Sequence, residues 1–261
     1  MQNYGLQGRV VVVSGAASGI GRALAHAFAR EGASLVLVDR SHDALQTVAH
    51  KVAGVASVWV RTCDLSMDAE VEAMVAQLSA LHAQVHVLVN NAGVEYPTPL
   101  SDSASDANQR WAQLLDNNVT SMTRLTRALL PHLAPGASII NQSSIWGHTG
   151  VADFSAYVAS KHAVIGLTRA LAWEFGPRHI RVNAVCPGWI RTDAAMASLR
   201  SMAQTQGRSQ ADVEREILAQ QALSGMLSPE DIADVYLFLA SDGSRCLTGQ
   251  SIVASHGEVM L

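Results

Sequence analysis

The chain has 261 residues, of which 49% are hydrophobic and 15% are charged, and its formal net charge is −4 at pH 7. This weakly acidic balance excludes nucleic acid and anionic membrane surfaces as partners, because both are bound through concentrated positive charge. No apolar run approaches the ~18 residues needed to cross a membrane, and the N-terminus lacks the basic and apolar regions of a signal peptide.

The cysteines Cys63, Cys186 and Cys246 lie far apart, and no Cys-x-x-Cys pair occurs. Isolated cysteines in odd number argue against a disulfide framework and predict buried thiols in a reducing compartment. We therefore expect a cytoplasmic protein. A chain of this length predicts a single α/β domain over residues 1–261.

The first predicted elements are a strand, a glycine-rich turn and a helix. Residues 9–14 are mostly valine, and the turn that follows contains Gly15, Gly19 and Gly21. Glycines at such a turn let the backbone approach a pyrophosphate, and the helix N-terminus then faces the anion. The segment predicts a dinucleotide loop, although glycine-rich turns of this kind also occur without a ligand.

The second predicted strand, residues 34–38, ends in Asp39. A carboxylate at this place accepts hydrogen bonds from the ribose hydroxyls and repels a 2′-phosphate, so Asp39 favours NAD. Arg40 stands next to it, and its guanidinium can offset that repulsion. NADP therefore remains an alternative.

Strands and helices then continue to alternate, which predicts a parallel, doubly wound α/β sheet. The predicted elements are a helix at 43–52, a strand at 55–62, a helix at 71–81 and a strand at 85–89. After the third strand, Asp64 can bond the adenine edge while Leu65 packs beside it. After the fourth, the small residues 90–93 leave room for a cofactor across the strand ends. His82 and His86 are four residues apart, but a strand begins between them, so we expect no metal site.

The second half carries a long helical pattern over residues 106–133 that is interrupted at Asn117 and Asn118. Two adjacent asparagines are unfavourable inside a helix. They are explained if one side chain holds a kinked backbone open, so that water can reach Lys161.

Later segments complete the predicted domain. A strand at 181–185 leads into a turn that would curl over a nicotinamide, with Thr192 near its carboxamide. Residues 193–225 break the alternation beside the predicted reaction centre and are interpreted as a substrate lid. Ser228 predicts a helix start, and a strand at 250–254 is the seventh.

Three side chains can act on one substrate oxygen. Tyr157 and Lys161 are four residues apart, so a helix over 156–171 projects them from one face. A nearby ammonium is expected to lower the tyrosine pKa. Ser144, after a predicted strand at 138–141, can hold the same oxygen. On its own, however, a tyrosine four residues before a lysine is also common on exposed helix surfaces.

Taken together, these motifs resemble the classical short-chain dehydrogenase/reductase family over essentially the whole chain. The cofactor loop of the family corresponds to residues 14–21, with Ser14 in place of threonine, and its Asn-Asn-Ala-Gly to residues 90–93. Its active-site residues correspond to Asn118, Ser144, Tyr157 and Lys161. The chain departs from the family at residues 255–257, where Ser-His-Gly replaces the frequent Asp-Gly-Gly.

The resemblance implies a Rossmann-type doubly wound sheet of seven parallel strands in one domain, a nicotinamide cofactor, an Asn-Ser-Tyr-Lys tetrad and a homotetramer. It also implies which residues bind the cofactor. These are Gly15, Ser18, Gly19, Ile20, Gly21, Asp39, Asp64, Leu65, Asn91, Ala92, Gly93, Tyr157, Lys161, Pro187, Gly188, Ile190 and Thr192.

The leading hypothesis is an NAD-dependent dehydrogenase that oxidises a secondary alcohol to a ketone. Polar or stacking residues are expected near the nicotinamide, namely Glu95, Trp146, His148 and Trp189, and they favour a small sugar, sugar acid or hydroxy acid. The alternatives are an NADPH-dependent ketone or 3-oxoacyl reductase and a non-catalytic cofactor-binding scaffold. Asp39 opposes the first, and the intact tetrad opposes the second.

Overall fold

A computed structural model of the chain describes residues 4–80 and 84–261. In these residues a single Rossmann-like domain is built on one seven-stranded, all-parallel sheet with the order β3-β2-β1-β4-β5-β6-β7. The strands are β1 (Val10–Ser14), β2 (Ser34–Asp39), β3 (Val58–Thr62), β4 (Val85–Asn90), β5 (Leu133–Gln142), β6 (Arg181–Pro187) and β7 (Ser251–Ala254). The predicted fold class is confirmed.

Helices cover both faces of the sheet. They are α1 (Gly19–Arg30), α2 (His42–Val52), α3 (Asp68–Ala80), α4 (Ala107–Leu115), α5 (Ser121–Leu129), α6 (Ser155–Phe175), α7 (Asp193–Thr205), α8 (Gln210–Leu218) and α9 (Ala233–Ala240). Helices α1, α2 and α9 pack on one face, and α3, α5 and α6 pack on the other. None of the helices in the described residues is both long enough and apolar enough to span a membrane.

The central strands are apolar on both sides because each side faces a helical layer. In β1, Val11 and Val13 contribute to the core under α1 and α9, whereas Val12 points to the opposite core. Successive strand residues face opposite sides of a sheet, so an unbroken valine run suits a strand that is buried twice. The run that predicted β1 thus also determines its central place.

Strands β1 and β4 are neighbours at the middle of the sheet. Strands β2 and β3 are added beyond β1, and strands β5, β6 and β7 are added beyond β4. This is the topological switch point, where loops after adjacent strands diverge and leave a crevice at the carboxyl ends of the strands. The loops after β1 and β4 both open into that crevice.

Several predicted boundaries need correction. Residues 53–57 form a turn, so β3 begins at Val58. The helical pattern of 106–133 is broken by a π-helix at Asp116–Thr120 and ends before β5. Ser228 Oγ accepts a hydrogen bond from Asp231 N, as a helix cap does, yet residues 229–232 form a turn and α9 begins at Ala233.

The prediction for cysteine is only partly right. Cys63 and Cys186 are buried, but Cys246 is exposed in the turn after the short 3-10 helix Asp242–Ser244. His82, one of the two histidines considered as a metal pair, lies outside the described residues. The other, His86, accepts a hydrogen bond from Val10 N, and burial lowers its pKa.

Candidate active site

A cavity of about 560 Å³ lies at the carboxyl ends of the strands. Twenty of the sequence-predicted site residues line it, and they are Gly15, Ser18, Gly19, Ile20, Asp39, Asp64, Leu65, Asn91, Ala92, Gly93, Glu95, Ser144, Trp146, Tyr157, Lys161, Pro187, Gly188, Trp189, Ile190 and Thr192. Gly21, Asn118 and His148 lie outside the lining. Residues scattered from the first strand to the start of α7 therefore meet in one cleft.

The loop after β1 is held against the loop after β4. Ser14 Oγ donates to Val89 O and accepts from the backbone N–H groups of Asn91 and Ala92 at 3.0 and 3.1 Å. The side-chain amide of Asn91 donates two hydrogen bonds, to Ser14 O and Gly15 O. The hydroxyl of Ser14 thus bridges the two loops at the switch point.

The glycines of the first loop are required by close backbone contacts. Gly15 has φ of 66°, and a Cβ there would stand 2.9 Å from Ala92 Cα. A Cβ at Gly21 would collide with the carbonyl oxygen of Gly15. Gly19, with φ of 50°, lies beside Thr192 of the turn after β6. This is a cradle of exposed backbone that suits an anionic ligand at the N-terminus of α1.

The carboxylate of Asp39 caps the same loop. Its Oδ2 accepts from Ala17 N at 3.1 Å, and its Oδ1 accepts from Ser41 N at 2.9 Å. Arg40 lines the cavity beside it. Asp64 accepts from the backbone N–H and hydroxyl of Ser66, and these bonds hold its pKa below the ordinary value. Both acids therefore stand on the cavity wall in fixed orientations.

Helix α6 carries Tyr157 and Lys161 into the cavity, four residues apart on one face. The Lys161 ammonium lies 5.3 Å from the centroid of the Tyr157 ring and donates to Gln142 O at 3.0 Å. Ser144, which ends the loop after β5, lies beside the Tyr157 phenol, and its Oγ accepts from Trp146 N. The predicted serine, tyrosine and lysine therefore converge.

Asn118 belongs to the π-helix and is fully buried. Its side chain accepts from Val94 N at 2.7 Å and donates to Val94 O and Ser160 Oγ. It thereby joins the loop after β4 to α6. The π-helix confirms that the backbone is irregular at the two asparagines, and the neighbouring Asn117 lines the cavity.

Burial controls the ionisation of the reactive groups. The pKa of Tyr157 is raised, first by desolvation and then by the Glu95 carboxylate, against a hydrogen bond from Ser144. Desolvation lowers the pKa of Lys161 to about 8, and Glu95 opposes that fall. The tyrosine pKa therefore lies above its ordinary value, contrary to the predicted lowering, because removal from water disfavours the charge of both groups and outweighs the attraction of the ammonium.

An aromatic wall borders the cavity beside Tyr157. The ring of Trp146 meets those of Tyr157 and Trp189 edge-on, with centroids 5.8 and 5.9 Å apart, and is tilted against Phe154 at 5.4 Å. Buried apolar residues of α7 and α8, including Leu199 and Val213, pack behind this wall. The segment predicted as a polar lid is thus polar outside and apolar where it meets the domain.

The C-terminal residues 255–259 fold onto the same region. Gly188 N donates to Ala254 O, and Leu223 N donates to His256 O. His256 adopts φ of 53°, and its Nδ1 lies 3.0 Å from Gly225 O. The Ser-His-Gly departure is therefore accommodated by a tail that contacts both the turn after β6 and the end of the predicted lid.

His148 does not share the cavity. It follows the short 3-10 helix Ile145–Gly147, and burial together with the charges of Arg169 and His162 lowers its pKa. Both neighbours are exposed on α6. The expectation that His148 faces the substrate is therefore not met by its position.

Sequence reasoning missed several cavity residues that directly follow predicted strands or flank predicted motifs. They are Cys63, Ser66, Val94, Tyr96, Asn117, Ser121, Gln142, Ser143, Ile145, Asp193, Ala194 and Ala195. Position just after the carboxyl end of a parallel strand is the signal that could have found most of them.

Known proteins match this chain along almost its full length. The family described as enoyl-(acyl carrier protein) reductase matches residues 15–258. A 3beta-hydroxysteroid dehydrogenase of Mediterraneibacter gnavus is 36% identical, with 95% of this chain and 94% of the relative covered. A D-xylose 1-dehydrogenase of Caulobacter vibrioides is 34% identical, with 94% and 93% covered.

Among solved structures, the L-sorbose reductase of Gluconobacter frateurii, complexed with NADPH and L-sorbose, superposes with a TM-score of 0.90. It is 27% identical, and the alignment covers 100% of both chains.

Proposed function

Since the chain belongs to the short-chain dehydrogenase/reductase family, we propose that it is an NAD-dependent dehydrogenase that oxidises a small polar secondary alcohol to a ketone. The observation that carries the proposal is the convergence of Ser144, Tyr157 and Lys161 in one cavity below a glycine-lined backbone cradle. Those three groups can position an alcohol and remove its proton, while the cradle suits a pyrophosphate.

Each of the proposed catalytic residues has a role that follows from its chemistry. Ser144 holds the substrate oxygen, and Tyr157 takes the hydroxyl proton as the carbinol carbon loses its hydride. Lys161 supplies the positive charge that favours the phenolate and has donors left for a ribose. Asn118 keeps the loop after β4 in register with α6. A bound nicotinamide supplies the hydride acceptor.

The preference for NAD rests on Asp39. Its carboxylate lines the cavity and is fixed by Ala17 N and Ser41 N, so it can accept from ribose hydroxyls and oppose a 2′-phosphate. The site residues fit a dinucleotide because Gly15 and Gly19 leave no side chain between the backbone and the cleft, while Gly21 lets α1 begin against the Gly15 carbonyl.

A second candidate is NADPH-dependent reduction of a ketone. Arg40 lines the cavity next to Asp39 and can meet a 2′-phosphate, and the similar L-sorbose reductase was solved with NADPH. A non-catalytic scaffold is disfavoured because it would have no use for a buried lysine beside a tyrosine. Both directions of the reaction use the same four residues.

A polar substrate is supported by the mixed character of the cavity wall. Glu95 offers a hydrogen-bond acceptor, while Trp146 and Trp189 offer ring surfaces on which the C–H face of a sugar can pack. Residues 193–225 serve as the lid in this proposal. His148 is the weakest member of the proposed substrate set because of its place outside the lining.

Steady-state kinetics with each cofactor separate these functions. We expect reduction of NAD⁺ with polyols or sugar-derived alcohols, and higher kcat/KM than with long aliphatic or steroid alcohols. Faster oxidation of NADPH with ketones would favour the second candidate. Binding of either cofactor without turnover of any substrate in the panel would favour a scaffold.

We also propose a cytoplasmic homotetramer. Trp173 on α6 is 87% exposed, and a large apolar side chain left in water at the outer face of a helix suits a subunit contact. Light scattering measures the assembly directly. Trp173→Glu should dissociate it, whereas a tetramer insensitive to this change would place the contact elsewhere.

A further inference from the structure

Glu95 places a carboxylate inside the catalytic cavity. It lies in the loop after β4, two residues beyond Gly93, and it lines the cavity with Tyr157 and Lys161. Its side chain lies beside Ser198 of α7, which favours the ionised carboxylate, and it interacts electrostatically with Tyr157 and Lys161. Ser198 is itself buried. The carboxylate is therefore held between the catalytic helix and the proposed lid.

The charges around this carboxylate leave no cation for an acidic substrate. Among the described residues that line the cavity, the charged ones are Asp39, Arg40, Asp64, Glu95, Lys161 and Asp193. Asp39 ends β2, Arg40 follows it and Asp64 follows β3, at the cofactor end. The Lys161 ammonium is attracted by the Glu95 carboxylate and already donates to Gln142 O. Arg191, after β6, pairs instead with Glu214 and is not part of the lining.

We propose that Glu95 makes the enzyme select neutral polyhydroxylated substrates and reject carboxylates. The inference rests on the proposed function and narrows it from sugars, sugar acids and hydroxy acids to neutral polyols and the matching ketoses.

Hydrogen-bond chemistry supports both the binding of neutral polyols and the rejection of carboxylates. Burial raises the pKa of Glu95, while Ser198 and the Lys161 ammonium oppose that rise and favour the ionised form. An ionised carboxyl group only accepts hydrogen bonds, and its two oxygens can receive neighbouring hydroxyls of one polyol. A substrate carboxylate brings no donor to this place and adds a like charge within a partly desolvated cavity. The aromatic wall of Trp146 and Trp189 accepts the apolar face of a sugar without adding charge.

The test compares paired substrates in the wild type, Glu95→Gln and Glu216→Gln. Glutamine keeps the size of the side chain and can still bond Ser198, while removing the charge. Glu216 is an exposed glutamate on α8 that pairs with Arg208 and does not line the cavity, so its variant controls for net charge. Thermal melting of each variant checks that the fold is unchanged.

We expect wild-type kcat/KM to favour neutral polyols over hydroxy acids and sugar acids. Glu95→Gln should raise kcat/KM for the acids roughly tenfold or more, and lower it for the polyols, while Glu216→Gln changes neither. An unreactive short carboxylate, tested as a competitive inhibitor, should bind more tightly to Glu95→Gln by a similar factor.

Two results would overturn the inference while leaving the proposed function intact. One is a wild-type preference for acids. The other is a ratio of acid to polyol kcat/KM that Glu95→Gln leaves unchanged. Failure of every alcohol and ketone to turn over would instead defeat the proposed function, and the inhibition by the unreactive carboxylate would still report on Glu95.

Discussion

The ammonium of Lys161 donates a hydrogen bond to the main-chain oxygen of Gln142 at 3.0 Å, and only 3% of the lysine is exposed. The bond joins α6 to the carboxyl end of β5, the strand that precedes Ser144. Holding a cation out of water is costly, and a single neutral acceptor does not restore its hydration. The site therefore holds the Lys161 ammonium next to Tyr157 at a cost in desolvation free energy.

The phenol of Tyr157 is the expected proton acceptor. Tyr157→Phe should reduce kcat by at least roughly a hundredfold, because general base catalysis contributes that much or more. The affinity for NAD⁺ should change little, since the ring still packs edge-on against Trp146. Stopped-flow turnover and fluorescence titration with NAD⁺ measure the two quantities. Retention of most of kcat would remove Tyr157 from this role.

The buried charge of Lys161 should appear in the pH dependence of stability. Its pKa is about 8 in the folded protein and higher when unfolded, so the unfolded chain binds more protons between these values. Stability therefore rises with pH through this window, and the whole cost is present below pH 8. From the size of the shift, this cost is about 3 kcal/mol.

Lys161→Met removes that cost together with the hydrogen bond to Gln142. We expect its unfolding free energy, relative to wild type, to be most favourable at pH 7 and to decline as the pH approaches 10. Urea denaturation across this range measures the difference. Lys51→Met, which removes the exposed lysine of α2, controls for the loss of one positive charge. A flat profile for Lys161→Met would contradict the prediction.

Cofactor choice should depend on the charge of Asp39. The wild type is expected to have a higher kcat/KM with NAD⁺ than with NADP⁺, and Asp39→Ala should narrow the gap because Arg40 remains on the cavity wall. The same variant loses the acceptor of Ala17 N, so melting temperatures must accompany the kinetics. Equal kcat/KM for both cofactors in the wild type would refute the argument.

Two glycine-to-alanine changes in helices should have opposite effects. Gly21→Ala places a Cβ against the backbone carbonyl of Gly15 and should destabilise the protein by roughly 1–3 kcal/mol. Gly166→Ala meets no atom within 4 Å on the exposed side of α6 and should stabilise it by up to ~1 kcal/mol. Denaturant unfolding of both variants provides the comparison. Equal effects would mean that the first turn of α1 relaxes around the added methyl group.

The cysteines should react with a thiol reagent at very different rates. Cys246 is exposed and should be labelled rapidly in the native protein. Cys63 and Cys186 are buried, and burial raises the pKa of each thiol to about 11, so few thiolates form at neutral pH. Mass spectrometry after brief labelling counts the modified residues. Rapid labelling of Cys186 would indicate that the region around Lys161 opens readily.

The sequence by itself determined the sheet, the glycine loop and the placement of Tyr157 and Lys161 on one helix face. These features depend on local rules: a valine run buried on both faces forms a central strand, a turn at φ near +66° requires glycine, and residues four apart share a helix face. The break in the helical pattern at Asn117 and Asn118 could be predicted by a local rule as well, because asparagine side chains inside a helix compete for its backbone hydrogen bonds.

Only the tertiary structure decided which polar groups meet and how they ionise. Glu95 and Lys161 are distant in the chain, yet they line one cavity and interact electrostatically there. His148, close to Ser144 in the sequence, lies outside the cavity lining. The pKa of Tyr157 rises because several elements together exclude water from it. Desolvation sums over all surrounding atoms, so no local pattern in the sequence specifies it.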